Sequence, residues 1–528
     1  MTSQSPMIED QVPDILKSLP ARISDIVEPW AESSPDRPAL VETAGTWSYA
    51  KLAHVISGTR TWLADSGVRP GDRVMLVCEN CRVFVAILLA LADLEAWPVL
   101  VNARLSESEI DQIREHCGAR RVIYTVSASP QAMNHARRQG ATIQEVTDLG
   151  AIGLGPLNET VVPEPLEANT ANRVAALIYT SGTTGLPKGV MLTHRGLLFV
   201  AAISARIRSL TPDDRLYGIL PMSHAVGLSV VLLGTLLSGA TLYLSVRFDP
   251  VAALAALEKD KLTVVLGAPA MFTLLVEYTK MKGIKSLQFP ALRIISSSSA
   301  PLQPTVKSAV ESLFGLVLHN GFGVTECSPN IAQTRIEAPR TDVSVGRMFP
   351  GVEVRLVDAE GNSVVEGEVG ELWVRGPNVM KGYYRAPEET AAAINADGWF
   401  NTRDLARMEE GNLFIVGRTK ELIVRFGFNV YPAEVEAILN AYPDVVRSAV
   451  IGRSVEGEGG EEVIAFVQLS PGSSATTAAI AEHAARHLAP YKHPSQIFLV
   501  ELMPLTPTGK VVKGELARLA GRSGEAGS

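Results

Sequence analysis

Residues 177–189 read Leu-Ile-Tyr-Thr-Ser-Gly-Thr-Thr-Gly-Leu-Pro-Lys-Gly, an apolar strand that runs out into hydroxyls, glycines and one lysine. The run 174–179 has strand length, and Gly182, Gly185 and Gly189 let backbone N–H groups come close to an anion. Thr180, Ser181, Thr183 and Thr184 add hydroxyl donors, while Lys188 adds a mobile point charge. That is the chemistry of a phosphate-binding loop. It is not a Walker A loop, because Gly182 is followed five residues later by Pro187, and Lys188 precedes Gly189 instead of Ser or Thr. An ordinary turn of small residues does not gather four hydroxyls, three glycines and a lysine in one window.

Upstream of the loop the chain alternates strand and helix signals. Residues 72–77 and 97–101 read as short buried strands, 83–94 as a helix apolar on nearly every side, and 107–116 as a polar helix. This is the rhythm of an α/β fold, layered sheets with helices on their faces. Residues 150–172 are poor in pattern, hold three prolines and read as a connection. The rhythm then resumes, and the apolar run 216–220 places His224 just past a strand end, where ligands gather in such sheets. Residues 225–246 carry no charge for about the length of a spanning helix. Gly227, Gly234 and the 238–240 trio interrupt them, so they read as a buried helix and strand.

The C-terminal third changes character. Residues 351–375 alternate apolar and polar positions as an antiparallel β subdomain. From Pro432 onward a helix to Leu439, strands at 448–451, 462–468 and 496–500, and a helix at 476–488 read as a separate α+β unit of about a hundred residues. The expected division is a large domain, 1–417, and a small one, 418–528.

The composition narrows the partners. With a net charge of −8 over 528 residues, no general attraction to nucleic acid or anionic lipid is expected. Four cysteines without a disulfide framework, and no signal peptide, point to a cytoplasmic location. Cys78 and Cys81 lack a second ligand pair for zinc. His483 and His487, four apart, have Ala484 where a zinc-protease pattern needs glutamate, and read as a solvated helix face.

A second signal is Asn320-Gly-Phe-Gly-Val-Thr-Glu, in which Gly321 and Gly323 leave the Phe322 ring open for stacking on a planar base. Thr325 and Glu326 set a hydroxyl beside a carboxylate. Near a polyphosphate such a carboxylate implies Mg²⁺, which takes one or two carboxylates plus phosphate oxygens. Further along, Pro507 and Gly509 make a tight projecting loop with Lys510 at its tip.

These motifs, in this order and over about residues 30–515, resemble the adenylate-forming superfamily of acyl-CoA synthetases, peptide-synthetase adenylation domains and beetle luciferases. The resemblance implies ATP, Mg²⁺ and coenzyme A as the small-molecule partners of a carboxylic acid. It assigns Thr184, His224, Glu326 and Lys510 to catalysis, with Glu326 on the metal and His224 beside the acid's carboxylate. Nucleotide contacts are implied for Thr180, Ser181, Gly182, Thr183, Lys188, Ser299, Ala300, Asn320, Gly321, Phe322, Gly323, Thr325, Asp404 and Arg418. Asp404 corresponds to the ribose-binding acid, Lys420 to the hinge of a mobile lid, and Gly427 to the wall of the pantetheine tunnel. Three departures stand out. Ser297, Ser298 and Ser299 replace glycines, Arg403 stands before Asp404 where glycine is usual, and Phe426 precedes Gly427 where glycine is frequent.

The activity expected is an ATP-dependent, AMP-forming acid:CoA ligase. An enzyme that loads a carrier protein, and a nucleotide-binding protein without turnover, stay open as alternatives. Residues 226–237 and 266–275 are apolar and hold no Arg or Lys, which favours a hydrophobic monocarboxylate, aliphatic or aryl, with a lean to medium or long fatty acids. The oligomeric state is not legible, and a homodimer stays open.

Overall fold

The computed structural model describes residues 8–181, 187–425, 428–454, 461–506 and 509–525. Two large sheets dominate it. In the eight-stranded sheet, Arg73–Cys78 lies parallel between Trp97–Asn102 and Arg121–Tyr124, and Val174–Ser181 pairs with Trp97–Asn102 on its far side. Parallel neighbours need crossovers, and the helices Arg82–Asp93 and Glu107–Cys117 supply them. Every residue of Arg73–Cys78 and Trp97–Asn102 is buried, which is why these strands read as unbroken apolar runs.

The nine-stranded sheet sets Leu318–Gly323, Ile294–Ser297, Val264–Gly267, Arg215–Gly218, Thr241–Leu244 and Pro38–Glu42 side by side. Helix Arg82–Asp93 is buried continuously from Phe84 to Ala92, within one apolar cluster that draws residues from both sheets. A helix apolar all round can survive only in such a place. Its N-terminus is capped by Cys81, whose Sγ accepts from the Phe84 N–H at 3.4 Å. The Cys78–Cys81 pair is therefore structural. All four cysteines are buried free thiols.

Two expectations need correction. Residues 150–172 are not wholly a connection: Gly150–Leu154 is a strand, antiparallel to Thr142–Val146 and to Arg121–Tyr124. Its inward Ile152 alternates with small residues, a weak signal, and the three prolines all fall after it. The 225–246 stretch is a helix and strand as read, but its first turns, Val226–Leu233, are π-helical. No helix among the described residues is long and apolar enough to cross a membrane.

A four-stranded antiparallel sheet follows, Glu353–Val357, Gly370–Arg375, Phe400–Glu409 and Asn412–Arg418 in that order. Last comes the C-terminal unit, where Val445–Ser454 pairs antiparallel with Glu461–Leu469 and the latter pairs parallel with Gln496–Val500. Helices Pro432–Asn440, Thr477–His487 and Lys513–Glu525 accompany it. Its apolar side chains form two clusters, one around Val435, Val463 and Ile480, the other around Phe466, Met503 and Leu516. In this unit the His483 Nε2 lies 3.1 Å from the Ile438 carbonyl oxygen, and no group of three potential metal ligands occurs among the described residues.

Candidate active site

The hairpin of Val174–Ser181 with Pro187–Thr193 sets Thr180 opposite Lys188. Gly182, Thr183, Thr184 and Gly185 lie outside the described residues, as do Phe426, Gly427 and Pro507, and Ser181 is described by its backbone alone. The Lys188 ammonium sits 5.2 Å from the centre of the Tyr383 ring, and the Tyr383 hydroxyl donates to Glu326 Oε1 at 2.9 Å. Tyr383 belongs to the two-residue strand Gly382–Tyr383, which pairs antiparallel with Pro187–Thr193. The sequence reading missed it. Its surroundings, Lys-Gly-Tyr-Tyr-Arg, carry no periodic or charge signal that separates one tyrosine from the next.

Glu326 lies in the turn Thr325–Cys327 that follows strand Leu318–Gly323. Gly323 is required there, since a Cβ would come within 2.0 Å of the Pro329 carbonyl oxygen. Phe322 is half-buried and packs against the main core, so its ring is less open than the sequence suggested. The Asn320 amide is engaged by the protein, donating to the Val343 and Ser344 carbonyls at 3.1 and 3.3 Å and accepting from the Gly321 N–H. Ser299 and Ala300 follow strand Ile294–Ser297, and Ser299 has φ +75°, a backbone that favours the glycine it replaces.

Asp404, on strand Phe400–Glu409, is 2% exposed. Its Oδ1 accepts from Arg418 Nε at 3.0 Å, while Oδ2 is buried with no partner. Burial pushes this carboxyl up to about 6, although Arg418 and Lys510 pull the other way. A carboxylate held in such surroundings with one orphaned oxygen is fitted to a hydroxyl donor. Arg403 has φ +61°, which explains why glycine suits this position. Its guanidinium is exposed and lies 3.9 Å from Glu371.

Lys510 does not project into solvent. Gly509, at φ +83°, abuts the helix Pro269–Met281 so closely that a Cβ there would meet the Ala270 methyl at 2.8 Å. Lys510 lies within electrostatic range of Asp404, Arg418, Lys420 and Glu421, and burial lowers its pKa. Glu326 also acts on Asp404. Lys188, Tyr383, Glu326, Asp404, Arg418 and Lys510 therefore form one connected set.

His224 stands apart from that set, past strand Arg215–Gly218. Its Nε2 is sealed from solvent without a partner, and burial pulls the imidazole down to about 4, with Arg104 adding to the shift. It is neutral at ordinary pH. Gly227 permits the tight turn beyond it, since a Cβ would come within 2.1 Å of the Pro221 carbonyl oxygen. Arg104 is the second residue the sequence reading missed, because it lies outside both apolar windows searched for cations. Its Nε is 3.3 Å from Asn102 Oδ1 and 3.5 Å from Glu79, a single carboxylate that Arg247 also contacts at 3.2 Å.

The donor set suits a metal–nucleotide pair. Glu326 is a lone carboxylate, too little to cage an ion by itself but enough for Mg²⁺ shared with phosphate oxygens. The orphaned Asp404 oxygen and the neighbouring ammonium suit a ribose and a phosphate.

The chain is similar to known proteins over nearly all of its length. Residues 27–384 match the family described as AMP-binding enzyme, and residues 434–510 match the AMP-binding enzyme C-terminal domain. The chain is 34% identical to a feruloyl-CoA synthase of an Amycolatopsis species, over 93% of this chain and 97% of the relative. It is 32% identical to a 4-coumarate–CoA ligase of Pinus taeda, over 92% and 93% respectively. Among solved structures, ATP-bound MatB from Rhodopseudomonas palustris superposes with a TM-score of 0.81 at 29% identity, covering 94% of this chain and 98% of that one.

Proposed function

The chain belongs to the AMP-binding enzyme family, in its acyl-CoA ligase branch, and on that premise we propose that it joins a hydrophobic aryl monocarboxylate to coenzyme A through an acyl-adenylate. One observation carries the reading of the site. The buried Asp404, with an unpartnered oxygen, has Arg418, Lys510 and Glu326 around it, which brings an acceptor for a ribose hydroxyl together with charge for a phosphate.

A free carboxylate is a poor acyl donor because oxide would have to leave. Transfer to AMP gives a mixed anhydride, but it requires the acid's negative charge to approach that of ATP. Catalysis is then mainly positioning and charge neutralisation. Asp404 and Arg418 hold the ribose end. Lys188, with Thr180, Ser181, Gly182, Thr183 and Thr184, holds the β- and γ-phosphates, while Thr325 and Lys510 meet the α-phosphate. Ser299, Ala300, Asn320, Gly321, Phe322 and Gly323 border the base. Glu326 supplies one carboxylate for Mg²⁺, which when bound offsets charge on the departing pyrophosphate. His224, neutral, orients the acid by hydrogen bonding without adding charge.

The acid's oxygen attacks the α-phosphorus, and the bond to pyrophosphate breaks. No general base is needed, since that oxygen is already ionised. In the second step the 418–528 domain turns about Lys420, withdraws Lys510 and admits the thiol past Gly427. The thiol gives its proton to solvent, its sulfur attacks the acyl carbon, and the acyl C–O bond breaks so that AMP leaves.

The relatives named for ferulate and coumarate support an aryl acid. They lend nothing to the lean toward fatty acids, which rested on apolar windows that serve a ring as well as a chain. Pyrophosphate release should be measured across a panel of ferulate, coumarate, benzoate, octanoate, palmitate and succinate. Aryl acids turning over at least tenfold faster than octanoate are expected, and octanoate or succinate winning would overturn the assignment.

A further inference from the structure

Tyr383 touches both Glu326 and Lys188. Its backbone is fixed by pairing, with Gly382 opposite Met191 and Tyr383 opposite Val190 on the strand that carries Lys188. Lys188 lies two residues before Val190, so it shares a face with Tyr383 and stands diagonally across from it. This register brings the ammonium to 5.2 Å from the ring centre, within cation–π range.

The same segment clamps Glu326 twice. The Met380 N–H donates to the Glu326 carbonyl at 2.7 Å, and the Tyr383 hydroxyl donates to the carboxylate at 2.9 Å. The Tyr383 N–H in turn donates to Thr390 Oγ1 at 2.9 Å. Gly382, at φ +147°, allows that closeness, since a Cβ would come within 2.7 Å of the Thr390 side chain. Tyr383 is therefore fixed at its backbone by Val190 and Thr390 and at its hydroxyl by Glu326.

We infer that Tyr383 is a positioning residue that couples the two halves of Mg·ATP binding: its hydroxyl orients the Glu326 carboxylate toward the cation, and its ring seats the Lys188 ammonium for the phosphates. This rests on the ATP-binding part of the proposed function. The two duties separate by chemistry. Phenylalanine removes the hydroxyl and keeps the ring, whereas leucine removes both.

Calorimetric titration with ATP, with Mg²⁺ and again with EDTA, tests the inference without turnover. In Tyr383→Phe the Kd for Mg·ATP should rise about tenfold, as expected for one lost hydrogen bond to a charged group, while the Kd for metal-free ATP stays at the wild-type value. In Tyr383→Leu the metal-free Kd should rise as well, by several-fold. In a Glu326→Gln background, adding Tyr383→Phe should change nothing further, and this comparison serves even if the leucine variant fails to fold. Wild-type Mg·ATP affinity in Tyr383→Phe, or an equal loss with and without metal, overturns the inference. Wild-type protein that binds Mg·ATP but releases no pyrophosphate with any acid would overturn the ligase reading instead and leave this one standing.

Discussion

Lys188 and Lys510 are two ammonium groups of the site, and they are held in different ways. Lys188 sits on a strand of the eight-stranded sheet, in register with Thr180, with an aromatic ring beneath it. Lys510 sits on a loop of the C-terminal unit, drawn toward Asp404 and Glu421 by their charge against the cost of burial and the repulsion of Arg418 and Lys420. Sheet pairing fixes a side chain permanently. Charge balance holds one only while the two surfaces meet, so the first lysine suits a function needed throughout the cycle and the second a function needed in one half of it.

Substitutions can break that contrast. Lys510→Ala should have the largest effect, lowering acid-dependent pyrophosphate release by at least about a hundredfold. It should leave thioester formation from supplied acyl-AMP within a few-fold of wild type. Equal damage to both half-reactions would erase the distinction between the lysines. Lys188→Ala should be milder, about tenfold, and should appear in the KM for ATP because its contact is made before and during the reaction alike.

Asp404 sharpens the contrast, since it belongs to the body but senses both sides. Asp404→Asn should raise the Kd for ATP about tenfold. Because the wild-type carboxyl titrates near 6, wild-type affinity should fall as pH drops from 7 to 5. ATP's own phosphate titrates in this range, so the quantity to read is the difference between wild type and Asp404→Asn. A constant difference would mean that Asp404 does not titrate there.

The last expected effect concerns stability and leaves the site itself untouched. His194, whose Nδ1 accepts from the Ile23 N–H at 3.2 Å, and His224 are pulled by burial from 6.5 to about 3 and about 4. The unfolded chain binds protons below 6.5 that these folded imidazoles refuse. Their contribution is therefore complete above 6.5 and is lost as pH falls toward 4, on the order of 1–3 kcal/mol each. Asp404, raised from 3.8, has the opposite sign, since its folded form takes up a proton first. Thermal midpoints measured from pH 7 to 4.5 should fall more steeply in wild type than in His194→Gln. A parallel decline in the two would remove His194 as a cause.

Much of this was legible in residue order. The apolar run before Gly182 predicted strand Val174–Ser181, and the nearly all-apolar 83–94 stretch predicted a helix, though not its place between layers, because burial on all sides leaves no polar face to disguise the pattern. Asp404 and Glu326 were identifiable because their neighbours form recognisable motifs. Tyr383 and Arg104 were not, since what matters about each lies across a long sequence separation: Tyr383 bonds Glu326, and the charge of Arg104 disfavours a protonated His224. The docked state of Lys510 was equally hidden. A glycine at a loop tip shows that the chain can turn sharply, but not that Ala270 lies against the turn.

The C-terminal unit keeps its own apolar clusters around Val435 and Leu516. Heat can therefore unravel this cap while the body stays intact, and adenylation would disappear at a temperature where the nucleotide is still gripped. A warmed preparation would then sequester ATP without consuming it, which would make inactivation look like inhibition in any assay that follows turnover alone.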